Sequence, residues 1–161
     1  MEGPLVRAEG LTKTFTQGGR SGFGGARATL TAVDDVSFEV GRGETLALVG
    51  ESGCGKSTTG RLLLRLVEPT AGRVFYGDAE RTGLPAARMR GMRRHVQMVF
   101  QDPFGSLSPR RSVGDIIAEP LEVFGVVRSR RERRERVADL LVQVGLQPAH
   151  MDRYPRQFSG G

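Results

Sequence analysis

The first hundred residues contain five stretches whose apolar pattern predicts β-strands. Two of them alternate apolar with polar residues, as half-buried strands do, and three are short apolar runs. The alternating stretches are residues 5–15 and 32–40, and the short runs are 45–49, 73–76 and 95–100. A glycine-containing turn at 41–44 joins the second stretch to the third, so we expect an antiparallel hairpin there.

Helical spacing of apolar residues begins after the third run and dominates beyond Phe104. Helices are predicted at residues 56–67, 115–124 and 132–144, the second of them interrupted by Pro120. Residues 17–28 are rich in glycine and predict a surface loop, as do residues 78–88. The chain therefore predicts an α/β architecture whose last third is helical.

Residues 50–57 read Gly-Glu-Ser-Gly-Cys-Gly-Lys-Ser, which is the spacing of a phosphate-binding loop. Glycines let backbone N–H groups approach phosphate oxygens, and the helix that follows adds partial positive charge. Lys56 can reach the β- and γ-phosphates, and the Ser57 hydroxyl can ligate Mg²⁺. A chance match among 23 glycines is the alternative, but a predicted strand and helix flank the loop. The predicted nucleotide site comprises Gly50, Glu51, Ser52, Gly53, Cys54, Gly55, Lys56, Ser57 and Thr58.

Two residues outside the loop are candidates for contact with the nucleotide. Phe15 ends the first predicted strand and could stack on a base, although an aromatic residue in that position is more often part of the core. Gln101 follows the run at 95–100, where a polar side chain at the carboxyl end of a strand can face a ligand. It could equally cap the turn before Pro103.

Composition narrows the class of protein. The longest apolar run is far below 18 residues, so no transmembrane helix is predicted, and the first residues lack the pattern of a signal peptide. One cysteine excludes an internal disulfide and fits a reducing cytosol. The net charge of +6 would suit nucleic acid or an anionic membrane, but residues 128–136 hold six Arg and two Glu, the pattern of a solvated helix face.

Four ordered motifs resemble the ATP-binding subunit of an ABC transporter, most closely the oligopeptide and dipeptide importer branch. They are the Walker A loop at 50–58, the Q-loop stretch at 98–107 with Gln101, the stretch at 113–121, and residues 154–161 as the start of the signature motif. The last ends in Ser159, Gly160 and Gly161. Phe158 stands where many relatives have Leu, and Ser108 where this branch often has Asn.

The resemblance implies a P-loop NTPase (RecA-like) core with an antiparallel β subdomain and the start of an inserted helical subdomain, incomplete at residue 161. The core and β subdomain would occupy about residues 1–103, and the helical subdomain about 104–161. Phe15 would stack on adenine, and Gln101 would contact Mg²⁺ or the attacking water. The signature residues would contact ATP bound by a second ATP-binding subunit, identical or different, with ATP sandwiched between the two.

The function implied by the resemblance is ATP hydrolysis that energises import of peptides or similar solutes through transmembrane permease subunits. Such a subunit would be peripheral, at the cytoplasmic face of the membrane, and no specific nucleic acid is expected as a partner. Alternatives are a non-transport ABC ATPase that acts on nucleic acid or ribosomes, or a basic binding module without turnover. In the family, the Walker B carboxylates and the switch histidine would follow Gly161. These 161 residues alone are therefore expected to be inactive.

Overall fold

A computed structural model of the chain describes residues 3–17, 28–102 and 105–158. The chain forms two compact units, Met1–Gln97 and Met98–Gly161. Most of the predicted loop at 17–28 lies outside the described residues, as do Phe104 and the signature residues Ser159, Gly160 and Gly161. Within the described part of the chain, no helix has the length and apolar character needed to cross a membrane.

The first unit is built on an antiparallel sheet whose four strands lie in the order β2-β1-β3-β4. The strands are β1 (Val6–Gln17), β2 (Ala28–Val40), β3 (Ala71–Tyr76) and β4 (Ala79–Glu80). Alternation decides which face of the sheet is buried, since side chains two residues apart share a face. The core that results consists of Ala8, Leu11, Val33, Leu62 and Val74.

The hairpin predicted around residues 41–44 is wrong, because strand β2 pairs with a different segment. Strand β2 pairs with β1, with Val6 opposite Val40, and does not pair with residues 45–49. Residues 45–49 and 96–100 are not strands, and Val49 and Val99 are 91% and 96% exposed. A strand exists through hydrogen bonds to a neighbouring strand, and within the described residues neither run has such a neighbour.

Helix α1 (Lys56–Leu63) is shorter than predicted because the chain ends it with a Schellman motif. Arg65 takes the left-handed conformation at φ 49°, and its N–H donates to the Leu62 carbonyl at 3.0 Å. The Leu66 N–H donates to Arg61 O at 2.9 Å, which completes the motif. Glycine usually occupies this position, so an arginine here provides no stop signal. A second helix, α2 (Ala86–Met92), and strand β4 replace much of the loop predicted at 78–88.

The second unit packs two helices against a short 3₁₀ segment. Helix α3 (Val113–Val123) continues through Pro120, where an interruption was predicted, and α4 is Arg130–Gln143. Ser112 and Ser129 cap the two helices by accepting from the N–H groups of Asp115 and Glu132. Apolar side chains from both helices and from the 3₁₀ segment, Pro148–Asp152, form the core of the unit: Ala118, Val137, Leu141 and Met151.

Candidate functional site

The phosphate-binding loop is held against strand β2 by a close backbone approach. Gly55 is the N-cap of α1 with φ 95°, a conformation that favours glycine. A Cβ on Gly55 would lie 2.2 Å from the carbonyl oxygen of Ala32, so no side chain fits there. The backbone of the loop therefore approaches the sheet as closely as a glycine allows.

The Lys56 ammonium folds back over the loop that it follows. Its Nζ lies 2.7 Å from Gly50 O, 2.5 Å from Glu51 O and 3.3 Å from Cys54 Sγ. An ammonium has three N–H donors, so these contacts use all of them. The acceptors are two neutral carbonyl oxygens and a thiol. A phosphate group would offer this cation a charged partner, and charge-assisted hydrogen bonds are the stronger ones.

The N-terminus of α1 has neither a side-chain cap nor an acidic residue in its first turn. Its N–H groups therefore remain available to an anion, with the partial positive charge of the helix dipole behind them. The Ser57 side chain is exposed and Thr58 is half-buried. Thr59 is buried and donates its hydroxyl hydrogen bond to Gly55 O at 3.1 Å, which secures the first turn.

Glu51, Ser52, Gly53 and Cys54 form the exposed rim of the loop. Gly50 and Cys54 are in close contact across it, since a Cβ on Gly50 would lie 2.7 Å from Cys54 Sγ. The loop is thus a compact ring of backbone around one cation, open to solvent on its outer side. Such a ring can bind the phosphates of a nucleotide.

Phe15 lies on β1, in the same unit as this loop, and is not a core residue. Its side chain is 39% exposed, and it pairs across the strands with Leu30. Ala32, which contacts the loop at Gly55, is two residues along β2 from Leu30, about 7 Å at the usual rise per residue. The backbone of Phe15 and the point at which Gly55 contacts β2 are therefore about two residues apart along the β1–β2 ladder.

Gln101 belongs to the second unit, where its side chain is exposed and makes no hydrogen bond to the described residues. The turn that follows is capped by its neighbour, since Asp102 Oδ1 accepts from the Gly105 N–H at 2.9 Å. Both exposed Ser57 and exposed Gln101 carry oxygen atoms of the type that Mg²⁺ prefers. The described residues contain no cluster of His, Cys, Asp and Glu suited to a metal ion.

The predicted signature motif is described only up to Phe158. The segment before it is tied to the helices, because the Val113 N–H donates to Arg153 O at 2.8 Å. Phe158 itself packs edge-on against the His150 ring, with 5.8 Å between centroids. Residues 150–158 are thus attached to the N-terminus of α3 within the helical unit.

Sequence reasoning did not identify two residues that contact members of the candidate site. Ala32 acts through its backbone carbonyl, for which no residue type is a signal. Lys13 lies over the Phe15 ring at 5.1 Å, and its position two residues earlier on the same strand could have indicated this.

Comparison with known proteins places these features in one family. The family model for ABC transporters matches residues 33–161. The chain is 49% identical over 162 aligned positions to the probable peptide ABC transporter ATP-binding protein y4tS of Sinorhizobium fredii, covering 100% of the chain and 45% of that protein. It is 50% identical to the oligopeptide transport ATP-binding protein OppF of Bacillus subtilis, over 84% of the chain and 45% of that protein.

Di/tripeptide transport ATP-binding protein DppF of Pseudomonas aeruginosa is 51% identical over 83% of the chain and 41% of its own length. The chain thus spans less than half the length of these relatives. Among solved structures, a dimeric, post-hydrolysis state of the ATP-binding cassette MJ0796 bound to ADP and Pi has a TM-score of 0.76 at 25% identity. It covers 97% of this chain and 64% of that one. This similarity confirms the predicted cassette fold.

Proposed function

Since this chain belongs to the ABC transporter family, we propose that the protein containing it hydrolyses ATP to energise the import of peptides or similar solutes. The observation that carries the proposal is the phosphate loop, in which the Lys56 ammonium contacts, among the described residues, only neutral acceptors of its own loop. The relatives described above are named for peptide, oligopeptide and di/tripeptide transport, which supports this class of solute.

ATP is proposed to bind with its phosphates in the loop of residues 50–58 and its adenine on the Phe15 ring. Lys56 would neutralise the β- and γ-phosphates, and the Ser57 hydroxyl would ligate Mg²⁺. We assign Gln101 a role at the same Mg²⁺ and the attacking water. Its side chain is exposed and makes no hydrogen bond to the described residues, which is compatible with this role. Ser159, Gly160 and Gly161 are proposed to contact ATP held by a second subunit.

We propose that the two regions of the chain have different roles. Residues 1–103 would bind nucleotide through the β subdomain and core, and residues 104–161 would form the helical subdomain that meets transmembrane permease subunits. The protein would then work as a homodimer or heterodimer with ATP between its subunits, at the cytoplasmic face of the membrane. Mg²⁺ and ATP are its proposed cofactors.

The test uses the protein that carries this chain, purified with the permease subunits that associate with it and reconstituted in vesicles. We expect ATP-dependent uptake of a labelled oligopeptide, lost in the Lys56→Ala variant and retained in Arg61→Ala, which removes a cation from the same helix outside the loop. Uptake that proceeds without ATP would contradict the energising role. Hydrolysis stimulated by RNA or ribosomes, with no peptide uptake, would favour a non-transport ATPase.

A further inference from the structure

Lys13 connects the candidate base platform to the segment that follows the phosphate-loop helix. Its ammonium lies 5.1 Å from the centroid of the Phe15 ring and donates a hydrogen bond to Glu68 O at 2.7 Å. The carbonyl fixes the end of an otherwise flexible side chain. The cation is therefore held against the ring by an anchor outside the strand.

The same segment supports the β1 backbone on either side of Lys13. The Thr70 N–H donates to Thr12 O at 2.8 Å, and the Thr14 N–H donates to the Thr70 hydroxyl at 3.0 Å. The ladder between β1 and β2 shifts register between Lys13 and Thr14, where regular strand pairing is interrupted. Residues 68–70 thus supply hydrogen bonds at the irregular part of β1 that leads to Phe15.

A cation over an aromatic ring is attracted to its face, and it draws electron density toward that side. Phe15 remains 39% exposed with Lys13 in place, so the ring still presents surface to solvent. A base that stacks there would meet a ring whose orientation is already restricted. Restricting a binding group before the ligand arrives reduces the entropy lost on binding.

We propose that Lys13 is a positioning residue for nucleotide binding, which acts by holding the Phe15 ring in the orientation that stacks on the base. The inference rests on the proposed function, since it assumes that Phe15 receives adenine. Glu68 and Thr70 contribute through the backbone of β1 and through the Lys13 anchor. Because Glu68 follows the end of α1, the arrangement also ties the ring to the helix that carries the phosphate loop.

The experiment compares equilibrium binding of ATP and inorganic tripolyphosphate to the protein that carries this chain. Lys13→Met removes the cation and its hydrogen bond but keeps an unbranched side chain, and Lys13→Arg keeps a cation that can stack on the ring. An exposed cation–π contact corresponds to about a two- to fivefold change in affinity. We expect Lys13→Met to weaken ATP binding by about that factor, with tripolyphosphate binding unchanged and Lys13→Arg close to wild type.

Arg73→Met is the matched control, because Arg73 lies 5.7 Å from the Phe75 ring centroid in the same sheet, and it should leave ATP binding unchanged. In a Phe15→Ala background, Lys13→Met should have no further effect on ATP. Equal weakening of ATP and tripolyphosphate by Lys13→Met would overturn the inference, since the charge would then act on the phosphates. ATP binding that depends on Phe15 but not on Lys13 would also overturn the inference, but that result would leave the proposed function intact. Loss of ATP binding in Lys56→Ala alone, with Phe15→Ala neutral, would remove base stacking and this inference with it.

Discussion

The carbonyl oxygen of Ala32 lies only 2.2 Å from the point at which a Cβ on Gly55 would be placed. Strand β2 and the phosphate loop therefore meet through backbone atoms, and the two elements approach as closely as glycine allows. Because the same glycine starts α1, this contact also places the helix N-terminus directly beside the sheet. The geometry of the phosphate site thus depends on a residue that is not part of the loop motif.

Gly55→Ala should displace the loop and weaken ATP binding by about 5- to 150-fold, since a strained backbone costs on the order of 1–3 kcal/mol. Both the positive φ and the Ala32 carbonyl oppose the new methyl group. Gly60→Ala is the matched control, because Gly60 lies within α1 and its Cβ would meet no atom within 4 Å. Isothermal titration with ATP, together with thermal unfolding, should show a loss only in the first variant. A Gly55→Ala protein that binds ATP normally would refute the contact.

Lys56→Ala should weaken ATP binding by about 10- to 100-fold, the range expected for a lost hydrogen bond to a charged group. Removal of the cation leaves phosphate charge facing only backbone donors. Arg61→Ala, which removes a cation from the last turn of the same helix, should bind ATP as wild type does. Binding and turnover are both measured, and wild-type turnover in Lys56→Ala would make the site assignment wrong.

The sequence predicts local elements better than it predicts which elements contact each other. Alternation at residues 32–40 and the order of glycines at 50–55 are local patterns. The alternation predicted most of strand β2, which begins four residues earlier, at Ala28. The pairing of β1 with β3, and the contact of Gly55 with Ala32, join residues far apart in the chain. Local pattern carries no record of such partners, which is why the hairpin partner was predicted wrongly.

The two runs at 45–49 and 95–100 show that a strand-like composition does not by itself produce a strand. Their composition is that of buried strands, yet Val49 and Val99 are almost fully exposed. Apolar residues favour burial, but a strand forms only where a neighbouring strand supplies hydrogen bonds.

The end of α1 was also missed, because Arg65 occupies a left-handed position where glycine is usual. Four hydrogen bonds of its guanidinium, to Glu68 and to the carbonyls of Arg81 and Leu84, accompany that conformation.

Alkylation of Cys54 should block ATP binding, and Mg-ATP should protect the thiol. The cysteine is exposed, its Sγ is 3.3 Å from Lys56 Nζ, and the loop closes over it at Gly50. A bulky adduct would displace the ammonium from the loop. Labelling by N-ethylmaleimide with and without Mg-ATP, located by peptide mapping, measures this. Cys54→Ala should bind ATP and resist inactivation, whereas equal labelling of Cys54 in both conditions would contradict the prediction.

Asp115 joins the first turn of α3 to α4. Its Oδ1 accepts from Arg133 Nη2 at 2.5 Å, and its Oδ2 accepts from the Ser112 hydroxyl at 2.8 Å. Arg133 Nε also lies 2.8 Å from Glu122 Oε1, as an ion pair without hydrogen-bond alignment. The hydrogen bond from Arg133, and then that from Ser112, lower the pKa of the Asp115 carboxyl below its ordinary value of 3.8. The charged form is therefore favoured by the folded helical unit.

A carboxyl whose pKa is lower in the folded state stabilises the fold above its unfolded pKa, and the contribution is lost as the pH falls through the folded pKa. Asp115→Asn should consequently reduce thermal stability at pH 7, by less than about 1 kcal/mol because the side chain is partly solvated. The difference from wild type should stay constant down to about pH 5 and shrink below about pH 4, as Asp115 protonates in the wild type. Asp139→Asn is the control, because it removes the same charge from α4 at an exposed position with no hydrogen bond to the described residues, and it should leave the unfolding midpoint at pH 7 close to that of the wild type. Unfolding midpoints measured from pH 7 to pH 3 decide the matter, and a difference for Asp115→Asn that persists undiminished at pH 3 would mean that its carboxylate does not stabilise the unit through charge.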